Sequence, residues 1–189
     1  SRKVPYLFMN LLEGGKHTDG GLAFQEYHIV PDTENAAEAV DMAVKIQRTL
    51  KEIILKDLGE ESLAFGDEGG FAPKTTDIKK PLLYLAEAIK KSDLQGKVRL
   101  ALDVAASSFY ESGNYKIAGK SVSSGELMGI YGSLISEFNL FAIEDPFHEE
   151  DFESFAKLKE KNRGLFVVGD DLTVSNKLRL KSAIENKSV

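Results

Sequence analysis

Three short apolar runs in this sequence each end on a carboxylate. Val98 to Leu102 runs into Asp103, Leu140 to Ile143 into Glu144, and Leu165 to Gly169 into Asp170. Helix-length segments separate the runs. Strand, helix, strand, helix, strand is the pattern of parallel βα units. In such units the C-terminal strand ends share one rim. Three carboxylates on one rim repel one another and stay ionised together most easily around a cation. Oxygen-only donors suit a hard ion, and Mg²⁺ suits an enzyme site best. The chemistry expected of these residues is metal-assisted. Each acid alone also fits the N-cap of the following helix; the common register of all three favours the metal. Asp145 and Asp171 directly follow two of them. Neighbouring strand residues point to opposite sides, so only one acid of each pair can face inward. The other caps a helix or forms a salt bridge.

Further candidates lie earlier in the chain. Gly66-Asp67-Glu68-Gly69-Gly70-Phe71-Ala72-Pro73 follows the apolar run Leu63-Ala64-Phe65. Flanking glycines let the backbone approach a ligand and present Glu68 into a pocket, but the same run also reads as a solvated turn. No Gly-Lys-Ser/Thr follows, so it is not a phosphate loop. His17 sits in a loop with glycines at 14, 15, 20 and 21, a segment able to close over a substrate. Glu26 stands among apolar neighbours and points either to solvent or into a polar site. His28 and His148 are expected to be surface or capping residues.

The elements that must position these groups follow from periodicity. Pro5 to Leu12 and Leu22 to Val30 read as strands, and the short connection favours an antiparallel pair. Asn35 to Leu58 is a helix with an expected capping box from Asn35 to Glu38 and a buried stripe of Val40, Ala43, Val44, Leu50, Ile53 and Ile54. A second helix runs from about Asp77 to Lys91, with Pro81 in its first turn. A polar hairpin surrounds Glu111 to Asn114. Ser124 to Phe138, Asp151 to Lys161 and Asn176 to Glu185 complete the helices.

Composition bounds the function. The 189 residues are 42% hydrophobic and 29% charged, a globular mix able to bury a core. The net charge of −6, without a basic stripe, argues against nucleic acid as a partner. The absence of Cys excludes disulfides and thiolate metal sites. No apolar stretch approaches the roughly 20 residues of a membrane span, and Ser1 to Pro5 does not read as a signal peptide. The chain opens without Met, which reads as a processed or excised piece.

Taken in order, the motifs resemble the enolase (phosphopyruvate hydratase) family. The resemblance runs from about Val4 to the end. It is carried by Gly14-Gly15-Lys16-His17, Gln25-Glu26, Gly66-Asp67-Glu68-Gly69-Gly70, Asp103-Val104-Ala105-Ala106-Ser107, Ile143-Glu144-Asp145-Pro146-Phe147 and Gly169-Asp170-Asp171-Leu172-Thr173-Val174-Ser175-Asn176. It implies an α/β fold: an enolase-type TIM barrel that opens with two antiparallel strands and continues in βα units. It implies a Mg²⁺-dependent hydro-lyase of glycolysis that interconverts 2-phosphoglycerate and phosphoenolpyruvate. Asp103, Glu144 and Asp170 would hold Mg²⁺ at the substrate carboxylate. Glu68 would protonate the departing hydroxyl with Glu26 beside it, and His17 would contact substrate as its loop closes. A cytoplasmic location and a homodimer are implied as well.

The resemblance also sets expectations about extent. Residues 1–189 would be part of the family's C-terminal barrel domain, without the N-terminal capping domain and the last barrel strands. The family's C2 base is a Lys on a strand after the last helix read here, and neither Lys181 nor Lys187 replaces it. Residues 1–189 alone would then be inactive and open-edged, and would associate with copies of themselves or a complementary chain. The competing reading is a non-catalytic fragment that binds Mg²⁺ or a partner. A third is an acid-sugar dehydratase of the wider superfamily, against which the Gly-Asp-Glu-Gly-Gly run weighs. Glu13 stands where the family usually has Asn, Thr18 where it has Ala, and Ser108 where Glu commonly follows.

Overall fold

The computed structural model describes residues 5–15, 21–60 and 63–189. They form two compact units, residues 1–101 and 102–189. The first carries strands β1 (Met9–Glu13) and β2 (Glu26–Pro31) and helices α1 (Ala36–Leu58) and α2 (Lys80–Lys91). Strand β3 (Val98–Asp103) begins in it and ends in the second. The second adds a small sheet of β4 (Tyr110–Glu111), β5 (Asn114–Ile117) and β6 (Lys120–Val122). It continues with α3 (Ser124–Phe138), β7 (Ala142–Glu144), α4 (Phe152–Lys161), β8 (Phe166–Val168) and α5 (Lys177–Glu185).

In the first unit the strands lie in the order β1-β2-β3, and β1 and β2 pair antiparallel, as their short connection requires. Both strands start later than periodicity suggests, at Met9 and Glu26. Residues 5–8 and 22–25 lie outside the two strands, and Leu22 and Phe24 are buried. Helix α1 matches its expected span, and the Asn35 side chain accepts from the amides of Ala37 and Glu38. The capping box is incomplete, because the Glu38 carboxylate instead accepts from the Thr33 hydroxyl at 2.6 Å. The buried stripe also differs. Val40 and Val44 are 48% and 39% exposed, and Ala39, Ala43, Ile46, Leu50, Ile53 and Ile54 are buried. The spacing 39, 43, 46, 50, 53 is equally helical, and packing selected it. Pro81 lies in the first turn of α2 as expected. Lys45 and Thr49 of α1 reach the Ser92 carbonyl and hydroxyl at 2.6 and 3.1 Å.

In the second unit the order is β3-β7-β8, and β7 and β8 pair parallel with Glu144 opposite Val168. Asp151 and Asn176 cap α4 and α5 through their side chains. The polar hairpin expected at 111–114 is the turn between β4 and β5, and β6 extends it to three strands. The mainly aliphatic core of this unit includes a cluster of buried rings, Tyr115, Tyr131, Phe147 and Phe155. Phe147 meets Tyr131 and Phe155 at 5.7 and 6.0 Å between ring centres, both near edge-to-face, the geometry that ring quadrupoles favour. The antiparallel β1–β2 pair of the first unit and the parallel β7–β8 pair of the second, each with its helices, agree with the expected α/β fold class.

Candidate active site

In the first unit, Glu68 rides on a turn closed by the Gly66 amide on the Gly70 carbonyl at 2.9 Å. The amide of Phe71 donates to the Leu11 carbonyl and that of Glu13 to the Phe71 carbonyl, both at 2.9 Å, so β1 fixes the base of the turn. Glu13 then closes it from inside. Its side chain is fully buried, and its carboxylate accepts from the amide of Glu68 at 3.2 Å and from that of Gly70. A Cβ on Gly66 would lie 1.9 Å from Glu13 Oε2, and one on Gly70 2.8 Å from Glu13 Oε1. Glycine is required at both positions by this close approach. Glu68 itself is exposed. The run is therefore a turn held from below by a buried acid, with its carboxylate presented outward.

Glu26 starts β2 directly opposite Glu13 in the β1–β2 ladder. The strand that braces the Glu68 turn thus also pairs with the strand that carries Glu26. Glu26 Oε2 lies 2.6 Å from His28 Nε2, with the two side chains 12% and 8% exposed. Glu26 accordingly points into a polar site, and His28 is a buried partner of an acid rather than a surface residue. The cause is period two: residues 26 and 28 share one face of β2. Asn10, opposite His28 in the ladder, donates from Nδ2 to Glu68 Oε2 at 3.5 Å. His17 lies outside the described residues.

In the second unit, the strand ends adjoin through the backbone. The Val104 amide donates to the Glu144 carbonyl and the Ala106 amide to the Asp145 carbonyl, each at 3.0 Å. The Asp145 amide donates to the Val168 carbonyl at 3.1 Å. Asp103, Glu144 and Asp170 therefore leave neighbouring chain segments at one rim. Asp103 is buried, with Oδ1 accepting from the Ala105 amide at 3.1 Å; Glu144 is half-buried and Asp170 exposed.

Asp145 follows β7 with a left-handed backbone, φ 41°. It is 3% exposed and accepts from the amides of Asp171 at 2.8 Å and Leu172 at 3.3 Å, so it caps the turn after β8. Burial pushes its carboxyl up to about 6; the two amides oppose this, and the charges of Asp171 and Asp170 add to it.

Aromatic and guanidinium groups hold the segments behind this rim. The Tyr131 hydroxyl donates to the Pro146 carbonyl at 2.7 Å, and the His148 amide donates to the Tyr115 hydroxyl at 2.9 Å. His148 Nδ1 accepts from the Glu150 amide at 3.3 Å, the local capping expected of it. Arg179 on α5 donates to the Leu172 and Glu149 carbonyls at 2.7 and 2.5 Å and pairs with Glu150 at 2.7 Å.

Three oxygen donors at one rim have the chemistry that a hard divalent ion takes. Among the described residues, no three His, Cys, Asp or Glu side chains stand close enough to hold one ion. The fit is one of donor type and backbone register.

Sequence reasoning missed the role of Glu13, which it placed just past the first strand and noted only as standing where the family usually has Asn. It also missed His28, whose signal was the two-residue spacing from Glu26.

Comparison with known proteins bears on the same residues. The family model described as "Enolase, C-terminal TIM barrel domain" matches residues 1–189. The chain is 40% identical over 185 residues to the enolase of Methanococcus maripaludis strain C5, covering 96% of this chain and 43% of that protein. It is 42% identical over 186 residues to the enolase of Methanocaldococcus jannaschii, covering 98% and 44%. It is also 42% identical over 191 residues to that of Methanopyrus kandleri, covering 98% and 45%. The chain thus spans less than half the length of the curated relatives it matches.

Proposed function

The chain belongs to the enolase C-terminal TIM barrel family, and from that premise we propose that it serves the reversible dehydration of 2-phosphoglycerate to phosphoenolpyruvate. The reading makes it part of a Mg²⁺-dependent hydro-lyase of glycolysis. The observation that carries it is the rim of Asp103, Glu144 and Asp170 on hydrogen-bonded neighbouring segments, within a chain that the family model matches throughout.

The reaction removes a proton from C2 and hydroxide from C3, so the protein must stabilise added negative charge and protonate a leaving group. Asp103, Glu144 and Asp170 would hold Mg²⁺, which when bound supplies Lewis-acid stabilisation of the substrate carboxylate as charge builds there. Glu68, exposed on its braced turn, would give its proton to the departing C3 hydroxyl, which leaves as water. Glu26, opposite Glu13, would orient substrate beside Glu68, and His17 would contact substrate from its glycine-rich loop. By the resemblance, the C2 base is a Lys outside residues 1–189. A cytoplasmic location and a homo-oligomer follow from the family rather than from any feature of these residues.

The test is phosphoenolpyruvate formation from 2-phosphoglycerate by the natural protein that carries these residues, with and without Mg²⁺. Mg²⁺-dependent turnover that Glu68→Gln abolishes is expected. No turnover, or turnover indifferent to Glu68, refutes the reading. The alternative, a non-catalytic fragment binding Mg²⁺ or a partner, is favoured for residues 1–189 in isolation by the family's base lying elsewhere. Turnover by residues 1–189 alone would exclude it.

A further inference from the structure

The proposed chemistry gives no task to His28, a buried functional group of the first unit. His28 Nε2 lies 2.6 Å from Glu26 Oε2, and both side chains are nearly withdrawn from water. A hydrogen bond between a ring nitrogen and a carboxylate is stronger there than in solvent, and it fixes the direction of both groups. Three features of the fold hold the ring. The strand puts residues 26 and 28 on one face. The Phe8 ring packs edge-on at 5.9 Å and 87°. Asn10 stands opposite in β1, itself donating to Glu68 at 3.5 Å. The ladder therefore runs Glu26, His28, Asn10, Glu68, with a different neighbour for each acid.

Two carboxylates beside one substrate can divide the work only if their surroundings differ. Glu26 meets an imidazole; Glu68 meets a side-chain amide and is exposed. We propose that His28 is the positioning residue for Glu26: its ring donates to Oε2 and holds Glu26 as the fixed hydrogen-bond acceptor, leaving proton donation to Glu68. The inference rests on the reading of Glu26 and Glu68 given above and adds to it a residue that acts through Glu26 without touching substrate.

The test uses the natural protein and three substitutions. His28→Leu keeps bulk but has no donor, His28→Gln keeps a donor, and His28→Ala opens a space for added imidazole. If Glu26 is misdirected without its partner, His28→Leu lowers kcat by about 10- to 100-fold with KM within about threefold. His28→Gln restores most of the rate, and imidazole raises that of His28→Ala. Wild-type kcat in His28→Leu overturns the proposal, as does equal loss in all three variants without imidazole rescue.

A second measurement is independent of turnover. The ¹⁵N signal of His28 Nε2 in selectively labelled protein should report a hydrogen-bonded N–H that shifts in Glu26→Gln and stays in Glu68→Gln. An Nε2 signal unmoved by Glu26→Gln refutes the pairing. A paired signal in a protein that does not dehydrate 2-phosphoglycerate instead refutes the functional reading on which the proposal rests.

Discussion

Glycine at position 70 is there because of Glu13, and that can be measured. Gly70 is buried and its φ is not positive, so alanine meets no backbone penalty. Its Cβ would, however, lie 2.8 Å from both Cγ and Oε1 of Glu13, closer than real Cβ contacts come. The Glu13 side chain is fully buried and pinned by two amides, so it can yield only by giving up those bonds. Hydrogen bonds to a charged group contribute about 1.5–3 kcal/mol each. Gly70→Ala should therefore cost about 3–5 kcal/mol. Glu13→Ala leaves the same two amides unsatisfied and should cost about 2–4 kcal/mol. In the double variant the space that Glu13 Cγ and Oε1 occupied is open, so Gly70→Ala adds little there. The predicted coupling is then nearly the whole Gly70→Ala cost, about 3 kcal/mol or more, in a double-mutant cycle read by urea unfolding. Effects that add within about 0.5 kcal/mol would show that Glu13 is not what excludes a side chain at 70, and the account of the Glu68 turn would fall.

Three other outcomes follow from the same structure. Tyr131→Phe removes the donor to the Pro146 carbonyl and should cost about 1 kcal/mol in chemical unfolding; no loss would mean the bond holds nothing. Asp57, held below its usual 3.8 first by Lys80 and then by Tyr84, supports the folded state above that pH and loses the contribution as pH falls through its lowered value. Asp57→Asn should thus be less stable than the parent near neutrality, with the gap closing below about pH 4; a gap constant from pH 7 to 3 would refute the pairing. Asp103→Asn, Glu144→Gln and Asp170→Asn should each weaken Mg²⁺ binding by the natural protein at least about tenfold by calorimetric titration; unchanged affinity in any one removes that residue from the set.

Much of this molecule is decided locally. Asn35, Asp151 and Asn176 cap helices because a short side-chain oxygen before an apolar repeat reaches the first free amides wherever the helix packs. The strand ends at Asp103 and Glu144 were legible for the same kind of reason: a short apolar run ending on a carboxylate marks a strand end, and β3 and β7 end on those two acids, whereas β8 ends two residues before Asp170. Tertiary structure decided what depends on a partner distant in sequence. Val40 and Val44 fit a helical stripe, but the face that packs carries Ile46 and Leu50. His28 was one residue on an apolar strand until Phe8, Asn10 and Glu26 enclosed it. Glu13 reads as an acid just past the first strand, and only the return of the chain at residues 66–70 turns it into a buried acceptor for two amides. Hydrogen-bond reach over three or four residues is written in the order of amino acids; burial depends on which surfaces meet, and that exists only once the chain has folded.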